Sequence, residues 1–408
     1  MQICICRIRV EEWIKISDLL FFQEGPGVRN TQYTQSGVKL LNVANLVNGK
    51  VDLSTSDRYI SEDEAYGRYK HFLCDDGDFI IASSGIKVEY FDRKMGFVDS
   101  SMLPLCMNTS TIRFKVIDSK RLNIKYFMYY LKSIHFKQQL SKFITGSAQL
   151  NFGPSHLKKM NMPLVSLKEQ NDIVEKLSKV ELLLDKYNGE IKLLDELIKA
   201  RFVEMFGDPV TNDMLWNTDV LKDICTKIGS GSTPRGGKES YIDEGISLIR
   251  SMNVHNANFE YKDLAHITLD QAEKLNNVVV EHDDLLFNIT GASVARCCVV
   301  PSDVLPARVN QHVCILRCIE KINPIFLQEL LVNENYQDKL LQIAKSGATR
   351  EAINKQQLES LEIMIPPLEL QNQFASFVQE IDKSRSRIQK SLEASQELFD
   401  SLMQEYFG

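Results

Sequence analysis

A chain of 408 residues, 44% hydrophobic and 25% charged, has room for two or three ordinary globular domains. No apolar run approaches the eighteen or more residues of a membrane span, and the first ten residues, interrupted by Arg7 and Arg9, are too short an apolar stretch for a signal peptide. Nine cysteines without a repeating C-x-x-C pattern argue against a disulfide framework or zinc ribbon and fit a reducing, cytoplasmic location, while a net charge of −6 counts only weakly against a nucleic-acid partner, because charge distribution decides such binding.

In chain order, the first globular segment (1–166) opens on a strand at Trp13. It continues through Leu41-Asn42-Val43-Ala44-Asn45 and a strand led by Asp78, reaches a helical stretch at 124–136, and closes on a short apolar strand from Met160 to Val165. A long helix with its exit (167–210) follows. A second globular segment (211–367) repeats the skeleton, with Trp216 at its start, a basic loop Gly231-Ser232-Thr233-Pro234-Arg235-Gly236-Gly237-Lys238, a helix at 325–332 and a strand from Leu361 to Pro366. A second long helix occupies 368–408.

The helices are copies of one another at a constant offset of 201 positions: Gln170-Asn171 matches Gln371-Asn372, and Phe206-Gly207 matches Phe407-Gly408. Ile173, Leu177, Val180, Leu184, Tyr187, Ile191, Leu194 and Ile198 follow alternating steps of four and three, as do Phe374, Val378, Ile381, Ile388, Leu392 and Phe399 around the polar Arg385 and Ser395. Such an a/d repeat predicts a coiled coil. Forty helical residues extend roughly 60 Å. A globular segment with a radius of gyration of about 15 Å cannot carry the chain back along that length, so two helices that pack on each other must run antiparallel. The expected fold is mixed α/β (α+β), two tandem heads at the ends of an antiparallel two-helix rod, with pseudo-two-fold symmetry. Leu183, Leu193, Leu197 and Phe202 lie off the seam, where a partner is expected to cover them.

The heads share anchors but differ between them. Leu41-Asn42-Val43-Ala44-Asn45 parallels Ile249-Arg250-Ser251-Met252-Asn253, residues 78–85 parallel 284–291, and Gly146-Ser147-Ala148 parallels Gly347-Ala348-Thr349. Two divergent heads on one repeated frame suit the reading of two different targets.

Enzyme signatures fail. The loop at Gly231 lacks the Gly five before Gly237-Lys238, where Ser232 stands, and Glu239 replaces the Ser or Thr that a phosphate loop needs for its metal. No G-x-S-x-G, H-E-x-x-H or paired Cys/His spacing is present. Asp284, with its counterpart Asp78, reads as a surface acid leading a strand, and Cys297, Cys298, Cys314 and Cys318 read as buried thiols. No catalytic residue and no metal site is expected.

Residues 288–296, Val309-Asn310-Gln311-His312-Val313, Gly231-Ser232-Thr233-Pro234, residues 347–354 and Ile365-Pro366-Pro367-Leu368-Glu369-Leu370-Gln371 together resemble the specificity subunits of type I restriction–modification systems, as do the closes of both helices. One departure is Ala295, where the family often has Gly. The first head is a looser match, through Gly25-Pro26-Gly27, Ser83-Ser84-Gly85 and the boundary at 157–167. The resemblance implies a non-catalytic subunit whose two target recognition domains each read half of a bipartite DNA target. Its helices would dock two methyltransferase subunits, and restriction subunits would join that core. S-adenosylmethionine, ATP and Mg would belong to those partners, with no cofactor on this chain.

Base readout requires Arg, Lys, Asn, Gln, Ser or Thr on rigid loops. The candidates are Arg29, Asn30, Asn42, Asn45, Ser83, Ser84 and Lys87 in the first head, and Thr233, Arg235, Lys238, Arg250, Asn253, Thr290, Ser293, Arg296 and Gln311 in the second. The competing reading is a non-catalytic two-headed scaffold that binds proteins or sugars. A self-contained methylase ranks below both, since no N-P-P-Y motif is present.

Overall fold

The computed structural model describes residues 12–142, 150–234, 236–345 and 351–408. The chain forms two compact units: residues 1–186 with 391–408, and residues 187–390. Each unit is a head together with one half of each long helix.

In the first unit an antiparallel sheet takes the strands in the order Leu20–Glu24, Thr111–Val116, Phe79–Ala82 and Met95–Phe97. All four residues of Phe79–Ala82 are buried, as a central apolar strand covered on both faces must be. A smaller sheet sets Val38–Leu41 parallel to Leu105–Met107 and antiparallel to Tyr59–Ile60. The helices Ile124–Lys132 and Ile134–Ser141, split at Ser133, cover the first sheet, with the rings of Phe79, Phe114 and Phe127 meeting at 5.0–6.3 Å. The strands Glu12–Lys15 and Asn161–Leu164 pair beside the helix start.

The second unit repeats this plan. One antiparallel sheet runs Cys225–Ser230, Val313–Cys318, Leu285–Asn288, Cys297–Val299. The other runs Ala265–Ile267, Ile246–Ile249, Ala307–Val309, Val279–Val280, and again has one parallel pair, Ile246–Ile249 with Ala307–Val309. The helices Pro324–Val332 and Glu334–Lys345 complete the head. Cys297, Cys298 and Cys314 are buried among apolar strands, and burial pushes the thiols of Cys298 and Cys314 up to about 12.

The acids leading the central strands are not on the surface. Asp284 is fully buried and takes a two-point contact from Arg317, Nε to Oδ1 and Nη2 to Oδ2, both 2.8 Å. Asp78 is 3% exposed and pairs with Arg113 at 3.2 Å. Each carboxylate also accepts a backbone N–H three residues upstream, from Glu281 and Asp75. A leading acid in sequence gives no sign of the arginine that folds onto it from a distant strand.

The long helices span Leu167–Phe206 and Leu368–Phe407. The first starts on a capping box, in which the Glu169 N–H donates to Ser166 Oγ and Ser166 N–H to Glu169 Oε2. It ends at Gly207, φ +75°, with the Trp216 indole donating to the Phe206 carbonyl. The repeated Gln-Asn pair fastens each helix to its head. Buried Gln170 accepts the Asn123 N–H and donates to the Arg121 and Val165 carbonyls, and Gln371 does the same with Asn323, Lys321 and Pro366.

Within each unit the two helices run antiparallel. In the first, Lys176 Nζ donates to Tyr406 Oη at 3.2 Å; in the second, Arg385 pairs with Asp195 at 2.5 Å. Ile173, Leu177 and Val180 are buried in the first unit, and Ile198, Phe374 and Val378 in the second. Leu184, Ile191, Ile381, Ile388, Leu392 and Phe399 are half-buried, since a two-helix contact cannot enclose a side chain on its own. Phe202 departs from expectation. It is 2% exposed and packs on Phe206, Phe326 and Phe374 at 5.2–5.8 Å, so the head covers it, not a partner. Leu183, Leu193 and Leu197 are exposed as expected.

Candidate nucleic-acid interface

The second head gathers its loops at one place. Strand Cys225–Ser230 leads into the loop at Gly231, whose backbone is pressed against strand Ala307–Val309: a methyl group on Gly231 would stand 1.8 Å from the Val309 carbonyl oxygen. Only glycine permits that approach. It brings Thr233 to Gln311, and the Thr233 hydroxyl donates to Gln311 Oε1. The Gln311 amide nitrogen stands 3.2 Å from His312 Nε2, and His312 Nδ1 stands 2.6 Å from Thr290 Oγ1. An amide N–H can only donate, so Nε2 accepts and the ring proton sits on Nδ1, which donates to Thr290. Three side chains from three separate loops are thereby linked through an imidazole.

Thr290, Ser293, Arg296 and His312 line an open recess of about 470 Å³ together with Ser251, Met252 and His255. Among the described lining residues there is no carboxylate. Arg296 is half-buried, with its guanidinium 3.4 Å from His255 Nδ1. The turn that shapes this wall depends on two left-handed residues, Gly291 (φ +77°) and Ala295 (φ +70°). Ala295 is fully buried, and its carbonyl accepts from Gln337. The recess therefore offers hydroxyl donors and acceptors, two imidazoles, one cation and the apolar Met252, a mixture matched to base edges and phosphate oxygens.

The remaining candidates divide. Asn45 and Asn253 are wholly buried, and each holds its own loop together: Asn253 accepts from the Arg250 N–H and donates to the Glu260 carbonyl, and Asn45 accepts from the Asn42 N–H and donates to the Asp52 carbonyl. Asn42 is 6% exposed, hydrogen-bonded to Asn108 and the Leu40 carbonyl, and Ser83 is 1% exposed. These four side chains are spent on the scaffold, the Ser83 hydroxyl donating to Glu24 Oε1, because a buried polar group demands internal partners. Arg250 does occupy the position equivalent to Asn42, but it lies over the Tyr241 ring at 5.4 Å and donates to the Asp263 carbonyl. Arg29, Asn30, Lys87 and Lys238 are exposed, and Ser84 is half-buried in a strand paired with Leu150–Asn151. Ser84 and Gly85 (φ +74°) repeat the Thr290-Gly291 turn in the first head, with Lys87 where the second has Ser293. Arg235 lies outside the described residues. His312 and His255 were not among the candidates. The segment that carries His312 was visible in the sequence, but its link to Thr290 spans 22 residues.

Comparison with known proteins places the whole chain. The sequence profile of the type I restriction modification DNA specificity domain matches twice, over residues 12–194 and 214–396. The MjaVIII specificity subunit of Methanocaldococcus jannaschii is 25% identical over 43% of this chain and 41% of its own length. The putative MjaX specificity subunit of the same organism is 24% identical over 65% of this chain and 64% of its own length. The StySPI specificity subunit of Salmonella potsdam is 22% identical over 70% of this chain and 64% of its own length. The chain thus spans less than two thirds of each of these relatives. Among solved structures, the S subunit of a type I system from M. genitalium has the same fold, with a TM-score of 0.61 at 16% identity over 97% of this chain and 96% of that one. A chain from a type I R-M system solved in a study of complex assembly follows with 0.52 at 17% identity over 97% of both chains. With two matches that together take in most of its sequence, the chain belongs to the family of the type I restriction modification DNA specificity domain.

Proposed function

We propose that this chain is the DNA-reading subunit of a type I restriction–modification complex, each head selecting one half of a bipartite double-stranded target. The observation that carries this reading is the carboxylate-free recess of the second head, with Thr290, Ser293 and Arg296 on its wall and Thr233 and Gln311 tied to it through His312. Rigid loops bearing such side chains can hold a base edge in fixed register. Arg296 and the exposed Lys238, with Arg29 and Lys87 in the first head, supply cations for phosphates. The chain itself performs no chemistry in this reading. Methyltransferase subunits, docking on the exposed faces of the long helices, carry S-adenosylmethionine and methylate adenine in each half-site, and restriction subunits carry ATP and Mg. Leu193 and Leu197, 63% and 47% exposed in the second unit, are surfaces for such docking.

The test is to express the chain with its methyltransferase in a methylation-free host and to read adenine methylation by single-molecule sequencing. A split motif that appears only with this chain supports the reading. Arg296→Ala and His312→Ala should then relax or change one half of the motif and leave the other intact. If no methylation appears although the methyltransferase is folded and bound, a protein-binding scaffold becomes the better account.

A further inference from the structure

The two copies supply a template for a groove in the second unit. Their short helices correspond at an offset of 200 and their long helices at 201, fixed by the identical bonds of Asn123 with Gln170 and Asn171 and of Asn323 with Gln371 and Asn372. In the first unit the head is tied to the helix by cationic and phenolic donors. Tyr129 Oη donates to Glu181 Oε2 at 2.6 Å, Lys132 Nζ to Glu181 Oε1 at 2.5 Å, and Lys50, on the hairpin of Leu46–Val47 and Lys50–Val51, to Asp185 at 2.9 Å. The Phe399 ring packs 6.4 Å from Tyr129.

Every one of these donors is missing from the second unit, while the principal acid remains. Tyr129 becomes Glu329, Lys132 becomes Val332, Lys50 becomes Asn258, Phe399 becomes Ile198, and Glu181 becomes Asp382. The result is a groove of about 840 Å³, in which carboxylates outnumber cations five to two among the described lining residues. Glu329, 8% exposed, lies deep in it, with Oε1 accepting from Gln328. Half-exposed Asp195 and Asp382 share Arg385, and Lys199 is engaged by Glu334.

We propose that this groove receives a lysine or arginine side chain of a partner protein, in the place that Lys132 holds in the first unit. Charge complementarity and the internal template both select a cation, and the groove's half-apolar wall, with Ile191, Ile198 and Val332, suits the methylene stem of such a side chain. The proposal is independent of DNA reading: a chain that fails it can still select its half-sites.

Two experiments decide it. In the full-length chain with ¹³C-labelled isoleucine methyls, Nα-acetyl-lysine-methylamide should shift Ile191 and Ile198 saturably, and its Nε-acetylated form should not. The double variant Glu329→Gln, Asp382→Asn should bind the probe at least about tenfold more weakly. The variant Glu329→Tyr, Val332→Lys, built from side chains the first unit already accommodates, should fill the groove from within and abolish the shift. No saturable shift, or an equal shift from the acetylated probe or in the filled variant, overturns the proposal. In the assembled complex, a photo-crosslinker at Asn258 should capture a partner peptide containing Lys or Arg. Failure to capture a protein, or capture only of peptides lacking both residues, also overturns it.

Discussion

Ala295 occupies a left-handed conformation, φ +70°, in a fully buried turn at the rim of the recess. A Cβ in that region costs roughly 1–2 kcal/mol, which glycine does not incur. Ala295→Gly is therefore expected to stabilise the second unit by about 1 kcal/mol, less the extra chain entropy of glycine, without altering DNA selection. A urea titration of both forms checks this, and a destabilised variant would refute it. At the same scale, Asn253 and Arg296 show why residue type alone misleads. Both are polar and both are on loops, yet one is spent wholly on its own backbone and the other borders an open recess. Asn253→Ala should unfold the loop rather than shift specificity, at a cost of about 1–3 kcal/mol for the buried groups left unpaired. A loss of binding at one half-site with unchanged stability would contradict that assignment.

Elements are held in register by a few close contacts. The Gly231 loop reaches Gln311 because nothing separates its backbone from the Val309 carbonyl. Gly231→Ala should displace the loop, break the Thr233–Gln311 contact, and reduce selection at one half-site by about tenfold or more while the helices and the other head stay folded. Binding assays on DNA with either half-site altered would show whether the loss is one-sided. Each long helix is pinned by its buried glutamine, and Gln371→Leu leaves the Asn323 N–H and two carbonyls without their partner. The expected cost is about 2–4 kcal/mol, and hydrogen exchange should place it in residues 187–390. Uniform destabilisation of both units would argue against a local anchor.

At the scale of the molecule, Glu329, which stands where the first unit has Tyr129, is expected to give the second unit a pH dependence of its own. Burial, reinforced by Asp382 and Asp195 and opposed by Gln328 and Arg385, pushes Glu329 up to about 7 from its ordinary 4.5. Lys199, Glu334 and Asp338 border the same groove. Below pH 4.5 the carboxyl is protonated whether the unit is folded or not, and its contribution is neutral. Between pH 4.5 and 7 the unfolded chain releases a proton that the folded unit keeps, so stability falls as pH rises. By pH 8 the loss reaches up to about 3 kcal/mol. Glu329→Gln should flatten this part of the profile in the second unit only. An unchanged pH profile in the variant would show that the group is not buried as described.

Much of this organisation was legible in the sequence. The 201-residue repeat, with its matching Gln-Asn pairs, and the a/d periodicity can be read directly from the chain, and such patterns fix helices, their ends and their apolar seam. Antiparallel packing followed from the seam together with the small size of the head beside the length of the helix. What the tertiary structure decided are the relations between residues far apart in the chain. Arg317 folds onto Asp284, Phe202 turns into the core of its own head, His312 joins Thr233 to Thr290, and three asparagines that looked like base readers serve as internal props. Periodicity records which face of an element is apolar. It does not record which polar side chain from another strand arrives there, because hydrogen-bond partners are chosen by proximity in space, and proximity across loops leaves no period in the sequence.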